Sequence, residues 1–253
     1  MALRPVNVNI KALDEEAVGR FWAAALGWEL SSEAPGVANV EPGGEYVWPD
    51  PAALVVDVVR VPEPKSATKN RAHLDLATTS LAHQAELVER LRDLGATPAD
   101  VGQGDDVPWV VLADPEGNEF CVLEPREVYR DTGPIAAVVV DCVDPRAMAR
   151  FWAGATEWAL GEVTDQQASL RSPTGLGLYL EFLRRPEGKA VPDRVHLDLL
   201  PYRGDDTAAE VARLRDLGAV EIDLGQGDDV PWRCLSDPDG HEFCVLRAPS
   251  AAG

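Results

Sequence analysis

One phrase occurs twice in this chain. "GQGDDVPWVVLADPEGNEFCVLE" begins at Gly102 and "GQGDDVPWRCLSDPDGHEFCVLR" at Gly225. The repeat extends upstream at the same spacing: "LRDLGA" from Leu91 returns from Leu214, and "RAHLDL" from Arg71 returns as "RVHLDL" from Arg194. Further back the spacing drifts, as loops of unequal length require. "RVPEPK" from Arg60 meets "RRPEGK" from Arg184, and "DEEAVGRFW" from Asp14 meets "DPRAMARFW" from Asp144. Two long copies exclude a solenoid, which needs a shorter period and more units. The chain is a duplication, with domains expected at 1–127 and 134–248 and a turn-rich linker at 128–133.

Within one copy the hydrophobic period alternates between strand and helix. "PVNVNIKAL" alternates as a strand, and Asp14 then starts a helix with Glu15 and Glu16 suited to its N-terminal dipole. Ala17, Phe21, Trp22 and Ala25 form its apolar stripe, and Gly27 ends it. Short strands follow at "WELSS", "VANVE" and "AALVVDVVRVP". A second cycle runs from "AHLDLATT" through the helix "LAHQAELVERLRDL" to a hairpin turned by "DPEGN". Each copy therefore reads as β-α-β-β-β twice, and the chain as four such modules.

Composition narrows the partners. A formal charge of −20 repels phosphate backbones and anionic lipid, so neither nucleic acid nor membrane is expected as a partner. No run of roughly 18 apolar residues occurs, and the N-terminus lacks a signal-peptide pattern. Cys121, Cys142, Cys234 and Cys244 form no CxxC pair, which fits a reducing, cytoplasmic setting. There is no G-x-S-x-G and no phosphate-cradling glycine loop.

The module order, with "RFWAAALGW" after strand one, "HLDL" at strand five and "DPEGNEFCVL" at the end, resembles the vicinal oxygen chelate superfamily of glyoxalases, bleomycin-type resistance proteins and extradiol dioxygenases. The resemblance implies an α+β fold of two tandem glyoxalase-like domains, each of two βαβββ modules, with curved mixed sheets around a cavity. It also implies, in metal-dependent members, a divalent ion held by one residue each from strands one, four, five and eight. Carried over, those positions fall on Val8 and Val138, on Asp57 and Glu181, on His73 and His196, and on Cys121 and Cys244. Valine cannot ligate. Cysteine stands where the family carries glutamate, with Glu119 and Glu242 two residues earlier on the same strand face.

A cysteine, histidine and carboxylate set suits zinc and mismatches harder metals. Glu181, His196 and Cys244 are the expected ligands, and a buried structural role for the cysteine is the plainer alternative. His73 with Asp75, and His196 with Asp198, share strand faces and offer metal-free acid–base pairs, with Glu242 as a further catalytic carboxylate. Trp109 and Trp232 stand before strand seven of each copy, to stack on a planar ligand or to pack on a helix. Asp57 and Glu181 are expected to line the cavity, and Asp105, Asp106, Asp228 and Asp229 to flank its mouth or solvate a loop.

Two functions fit these residues. One is binding of a small cationic or aromatic compound, as in resistance proteins; the missing strand-one ligand and the acidic charge favour it. The other is a lyase or isomerase that uses zinc or a His/carboxylate pair. The partner is a small molecule in both cases, and the chain is expected to be a monomer or a homodimer.

Overall fold

The structure is a computed structural model that describes residues 2–32, 34–50, 52–104, 106–225, 227 and 230–249. Asp105, Asp228 and Asp229 therefore lie outside the described residues. Module one comprises β1 (Leu3–Ala12), α1 (Glu15–Leu26), β2 (Glu29–Ser31), β3 (Val37–Glu41) and β4 (Val55–Arg60). Module two comprises β5 (Ala72–Leu76), α2 (Leu81–Asp93), β6 (Thr97–Pro98), β7 (Val110–Ala113) and β8 (Glu119–Val122). After a 3-10 turn at Glu127–Tyr129, module three has β9 (Ile135–Cys142), α3 (Pro145–Thr156), β10 (Ala159–Val163), β11 (Gln167–Arg171) and β12 (Tyr179–Arg184). Module four has β13 (Val195–Pro201), α4 (Thr207–Asp216), β14 (Val220–Glu221), β15 (Trp232–Ser236) and β16 (Glu242–Leu246). Among the described residues no helix is long and apolar enough to cross a membrane.

The strands form two eight-stranded mixed sheets, and the fold is α+β on four βαβββ modules. Each sheet takes one module from each half of the sequence. The first runs β14-β15-β16-β13-β1-β4-β3-β2, which joins modules one and four. The second runs β10-β11-β12-β9-β5-β8-β7-β6 and joins modules two and three. The seams are antiparallel pairs, with Asn9 opposite His196 and Val139 opposite His73. The border between sequence repeats is thus not a border between sheets, and each sheet draws its central residues from both halves.

Local chemistry explains the repeated words. Asp14 and Asp144 cap α1 and α3 through the backbone N–H groups of Ala17 and Ala147, at 2.9 and 3.0 Å. Gly27 closes α1 in the left-handed region, where a side chain would be strained. The tryptophans of the two "RFW" stretches are core, as their helical spacing predicts. Trp22 packs 5.1 Å from Phe120, and Trp152 lies 5.3 Å from Phe243. Each indole also donates to the aspartate of the D-P-x-G turn: Trp22 Nε1 to Asp114 at 3.3 Å and Trp152 Nε1 to Asp237 at 3.2 Å. The lysines of "RVPEPK" and "RRPEGK" form ion pairs in which little of either side chain is exposed, Lys65 with Glu119 at 2.9 Å and Lys189 with Glu242 at 3.1 Å.

The apolar side of each sheet packs on helices, and the other side is concave and polar. Val8, Ile10, Val56, Val58 and Leu197 belong to the helix-side core, as do Val138, Leu180 and Phe182. Val8 and Val138 thus stand on the wrong face to meet a ligand. On the concave side of the first sheet, strand one instead presents Asn7 and Asn9, which pair across to Asp198 and His196. On the second sheet it presents Val139, in register with both His73 and Glu181. Strand one therefore does supply polar groups in the first sheet. The expected count was one residue out, and in an alternating V-N-V-N strand a slip of one exchanges the faces.

Candidate functional site

The second sheet curves around a cavity of about 510 Å³. His73 and Asp75 from β5, Cys121 from β8 and Glu181 from β12 all line it, with Trp109, Tyr129 and Tyr179 as aromatic wall. Tyr129 lies in the segment read from sequence as a linker. The 3-10 turn carries it inward, where its hydroxyl donates to Glu181 Oε1 at 2.8 Å and its ring meets Tyr179 edge-on at 5.6 Å. Turn-forming composition around Tyr129 concealed this contribution.

The carboxylates of this cavity are unusual in their company. His73 Nε2 stands 3.4 Å from Asp75 Oδ1, and His73 Nδ1 and Asp75 Oδ1 are buried without a hydrogen-bond partner. Among the described residues neither Asp75 nor Glu181 has a lysine or arginine within ion-pair distance, whereas Asp141 at the cavity's other end has Lys69 at 2.6 Å. Burial pushes the Glu181 carboxyl up; the Tyr129 hydrogen bond opposes that shift and favours the charged form. Burial, with Asp75 alongside, pushes the Cys121 thiol far up and favours its protonated form. Arg126 stands over the Trp109 ring at 6.0 Å.

The concave side of the first sheet is built differently. Asp57 accepts from Asn7 Nδ2 and Asn39 Nδ2, each at 2.7 Å, and Trp48 Nε1 donates to Asn7 Oδ1 at 2.9 Å. Trp48 belongs to the β3–β4 connection, residues 42–54, whereas the matching β11–β12 connection spans only 172–178. The longer loop lays its indole against the polar centre of its own sheet. Asn7, Asn9, Asp57 and Asp198 are all at least nine-tenths buried. Burial, with Asp57 nearby, raises Asp198 to about 8, and burial lowers His196 to about 4. Both groups are therefore driven toward their neutral forms.

These placements redistribute the expected site residues. Glu181 shares a cavity with His73 and Cys121, and His196 and Cys244 lie in the other sheet with Asp57. The expected zinc set of Glu181, His196 and Cys244 is thus divided between two sheets, because each sheet crosses the repeat border. Glu242 is held between Lys11 at 2.9 Å and Lys189 at 3.1 Å. Burial raises its carboxyl, but the two ammonium groups outweigh burial and hold it below the usual range, as befits an ion-pair member. Trp109 faces the cavity, and Trp232 borders a separate edge crevice beside Thr207 and Val211 of α4. Asp106 is exposed. Asn7, Asn9 and Trp48 went unnoticed in the sequence; the alternation of β1, read in the correct register, was the one signal for the asparagines.

A sequence profile described as "Glyoxalase-like domain" matches residues 7–123 and again 137–246, which together span most of the chain. The chain belongs to the glyoxalase-like domain family. Solved structures agree at the level of fold. Glyoxalase I from Zea mays is 16% identical with a TM-score of 0.63, covering 97% of this chain and 92% of that one. A putative dioxygenase from Bacillus subtilis is 13% identical with a TM-score of 0.63, covering 100% and 87%. No curated protein sequence matches the chain. Glyoxalase-like chains often use a divalent metal, and the donor chemistry here can be judged against that. His73, Asp75 and Cys121 offer ligand atoms within 4.8 Å of one another, as do His196, Asp198 and Cys244. Imidazole, thiolate and carboxylate together fit zinc and not magnesium or calcium.

Proposed function

We propose that the protein binds a small cationic aromatic compound in the cavity of the second sheet. One observation carries this reading: the buried Asp75 and the half-buried Glu181 have no lysine or arginine within ion-pair distance among the described residues, in a space walled by Trp109, Tyr129 and Tyr179 where Arg126 acts on Glu181 only from beyond that distance. An uncompensated buried carboxylate is costly, and a ligand cation that pairs with it removes that cost. Aromatic faces add cation–π attraction of about 0.5–2 kcal/mol. A volume of about 510 Å³ falls within the range of about 300–1,000 Å³ usual for small-molecule sites. Phenyltrimethylammonium is a suitable probe, with binding read by quenching of tryptophan fluorescence. Glu181→Gln is expected to weaken binding about tenfold or more, the loss of one charge-assisted contact in a dry site. His73→Ala should leave affinity nearly intact. Equal affinity in wild type and Glu181→Gln would refute the reading.

A second reading is favoured by the convergence of His73, Asp75 and Cys121 in the same cavity. In a lyase or isomerase these three residues would hold zinc, with Glu181 facing the substrate as a proton carrier. Zinc would supply Lewis-acid polarisation of a substrate oxygen. Without metal, the His73–Asp75 pair would move the proton. Loss of turnover in His73→Ala with affinity retained would select this reading over simple binding.

A further inference from the structure

Module four carries a pair of thiols that module two does not. Cys234 on β15 stands directly opposite Cys244 on β16, and their sulfur atoms are 3.4 Å apart. In module two the residue that matches Cys234 is Val111, opposite Cys121. Cys121 and Cys142 both belong to strands of the second sheet, so the facing pair is confined to the first. All four cysteines are reduced.

The ladder places this pair where a cross-strand bond fits. Facing residues of antiparallel strands alternate between hydrogen-bonded and non-hydrogen-bonded pairs. The Arg247 N–H donates to the Pro231 carbonyl at 2.8 Å, which makes that facing pair a bonded one. Counting inward, Arg233 and Val245 are bonded, and Cys234 and Cys244 are not. The Cys234 carbonyl accordingly turns away from β16 and accepts from the Ile222 N–H at 3.0 Å. A non-bonded pair holds its Cα atoms about 4.5 Å apart with its side chains closest, inside the roughly 4.4–6.8 Å that a disulfide bridges. The sulfur atoms need to approach by only about 1.4 Å to reach bonding distance. Beyond β15 the sheet ends in β14, which is two residues long, so the pair lies one short strand from an edge, where local opening is easiest.

We propose that Cys234 and Cys244 form a reversible oxidation site, in which hydrogen peroxide joins the two thiols as a disulfide that staples β15 to β16 and a dithiol reductant reopens it. One sulfur, as thiolate, attacks a peroxide oxygen; the O–O bond breaks and leaves a sulfenic acid and hydroxide, which takes up the thiol's proton as water. The second sulfur then attacks the first, the S–S bond forms, the S–O bond breaks, and the oxygen leaves with the second thiol's proton as another water. Two electrons pass from the sulfurs to the peroxide. Both thiols are buried, and peroxide is hardly larger than water. The facing thiol at 3.4 Å captures the sulfenic acid before it is oxidised further, whereas Val111 offers Cys121 no such partner. Cys244 Sγ also stands 3.7 Å from His196 Nε2, so oxidation removes a thiol from the polar face of the first sheet.

The test uses the full chain, reduced, freed of reductant and treated with hydrogen peroxide alone. Thiols counted after denaturation should fall from four to two, and the intact mass should fall by about 2 Da. Proteolytic fragments should show Cys234 joined to Cys244, and dithiothreitol should restore all four thiols. Cys234→Val, which installs the side chain of the sister strand, should abolish the link and the loss of mass. Cys234→Ser, close in size to cysteine, should do the same, so the result does not hinge on one variant's folding. Cys121→Ser should still form the link. Retention of all four thiols, a link between other cysteines, oxygen added at Cys234 or Cys244 of the wild type in place of the link, or a link that dithiothreitol does not reverse would each overturn the proposal.

Discussion

His241 stands where the sister hairpin carries Asn118, and its surroundings are acidic. Nδ1 is 3.5 Å from Asp193, and Nε2 lies 3.5 Å from Asp239 and 3.0 Å from the Asp141 carbonyl. Burial alone would lower its pKa, but Asp193 and Asp239 outweigh burial and raise it to about 9. The folded value is above the unfolded one, so the protonated ring stabilises the fold. That contribution is fully present below about pH 6.5 and is lost as pH rises toward 9. Denaturant unfolding measured from pH 6 to pH 9.5 should therefore show falling stability. His241→Asn, which copies the sister residue, should flatten that part of the slope; an unchanged slope would show that His241 is not its source. At the same scale lies the clearest failure of sequence reading. Asn9 and Val8 are adjacent in an alternating strand, and only the cross-strand partners His196 and Asp57 fix which of the two faces inward.

At the scale of elements, the D-P-x-G turn is more than a reversal. Asp114 accepts from the backbone N–H groups of Glu116 and Asn118 and from the Trp22 indole, so one carboxylate fixes the hairpin and ties it to α1. Asp237 does the same for module four. Asp114→Ala would strand several buried donors together, and we expect a loss of about 2–4 kcal/mol in denaturant unfolding. A loss under about 0.5 kcal/mol, the usual range for a surface change, would contradict this role. Helices, strands and hairpins were legible because their signals are local: the Asp14 cap, the Phe21–Trp22 stripe and the glycines Gly27 and Gly95 that follow α1 and α2. The Trp48 loop was not legible, since nothing local marks where a loop side chain docks. Tyr129 was hidden for the same reason.

For the whole molecule, the decisive event is exchange of partners between sequence halves. Four similar modules permit several pairings, and similarity between copies carries no information about which edges meet. The seams Asn9–His196 and Val139–His73 decide it, and they assemble two unlike concave faces from one repeated sequence. One face is open, aromatic and acidic; the other is overlain at Asn7 by Trp48 and rich in amides and thiols. If ligand binds only in the cavity of the second sheet, as proposed, the duplicated glyoxalase-like chain takes one ligand and not two. Calorimetric titration of the intact chain with phenyltrimethylammonium tests it most directly. We expect one site per chain, weakened about tenfold or more by Glu181→Gln and unchanged by Asp57→Asn; two equivalent sites, or a site sensitive to Asp57 and indifferent to Glu181, would contradict it.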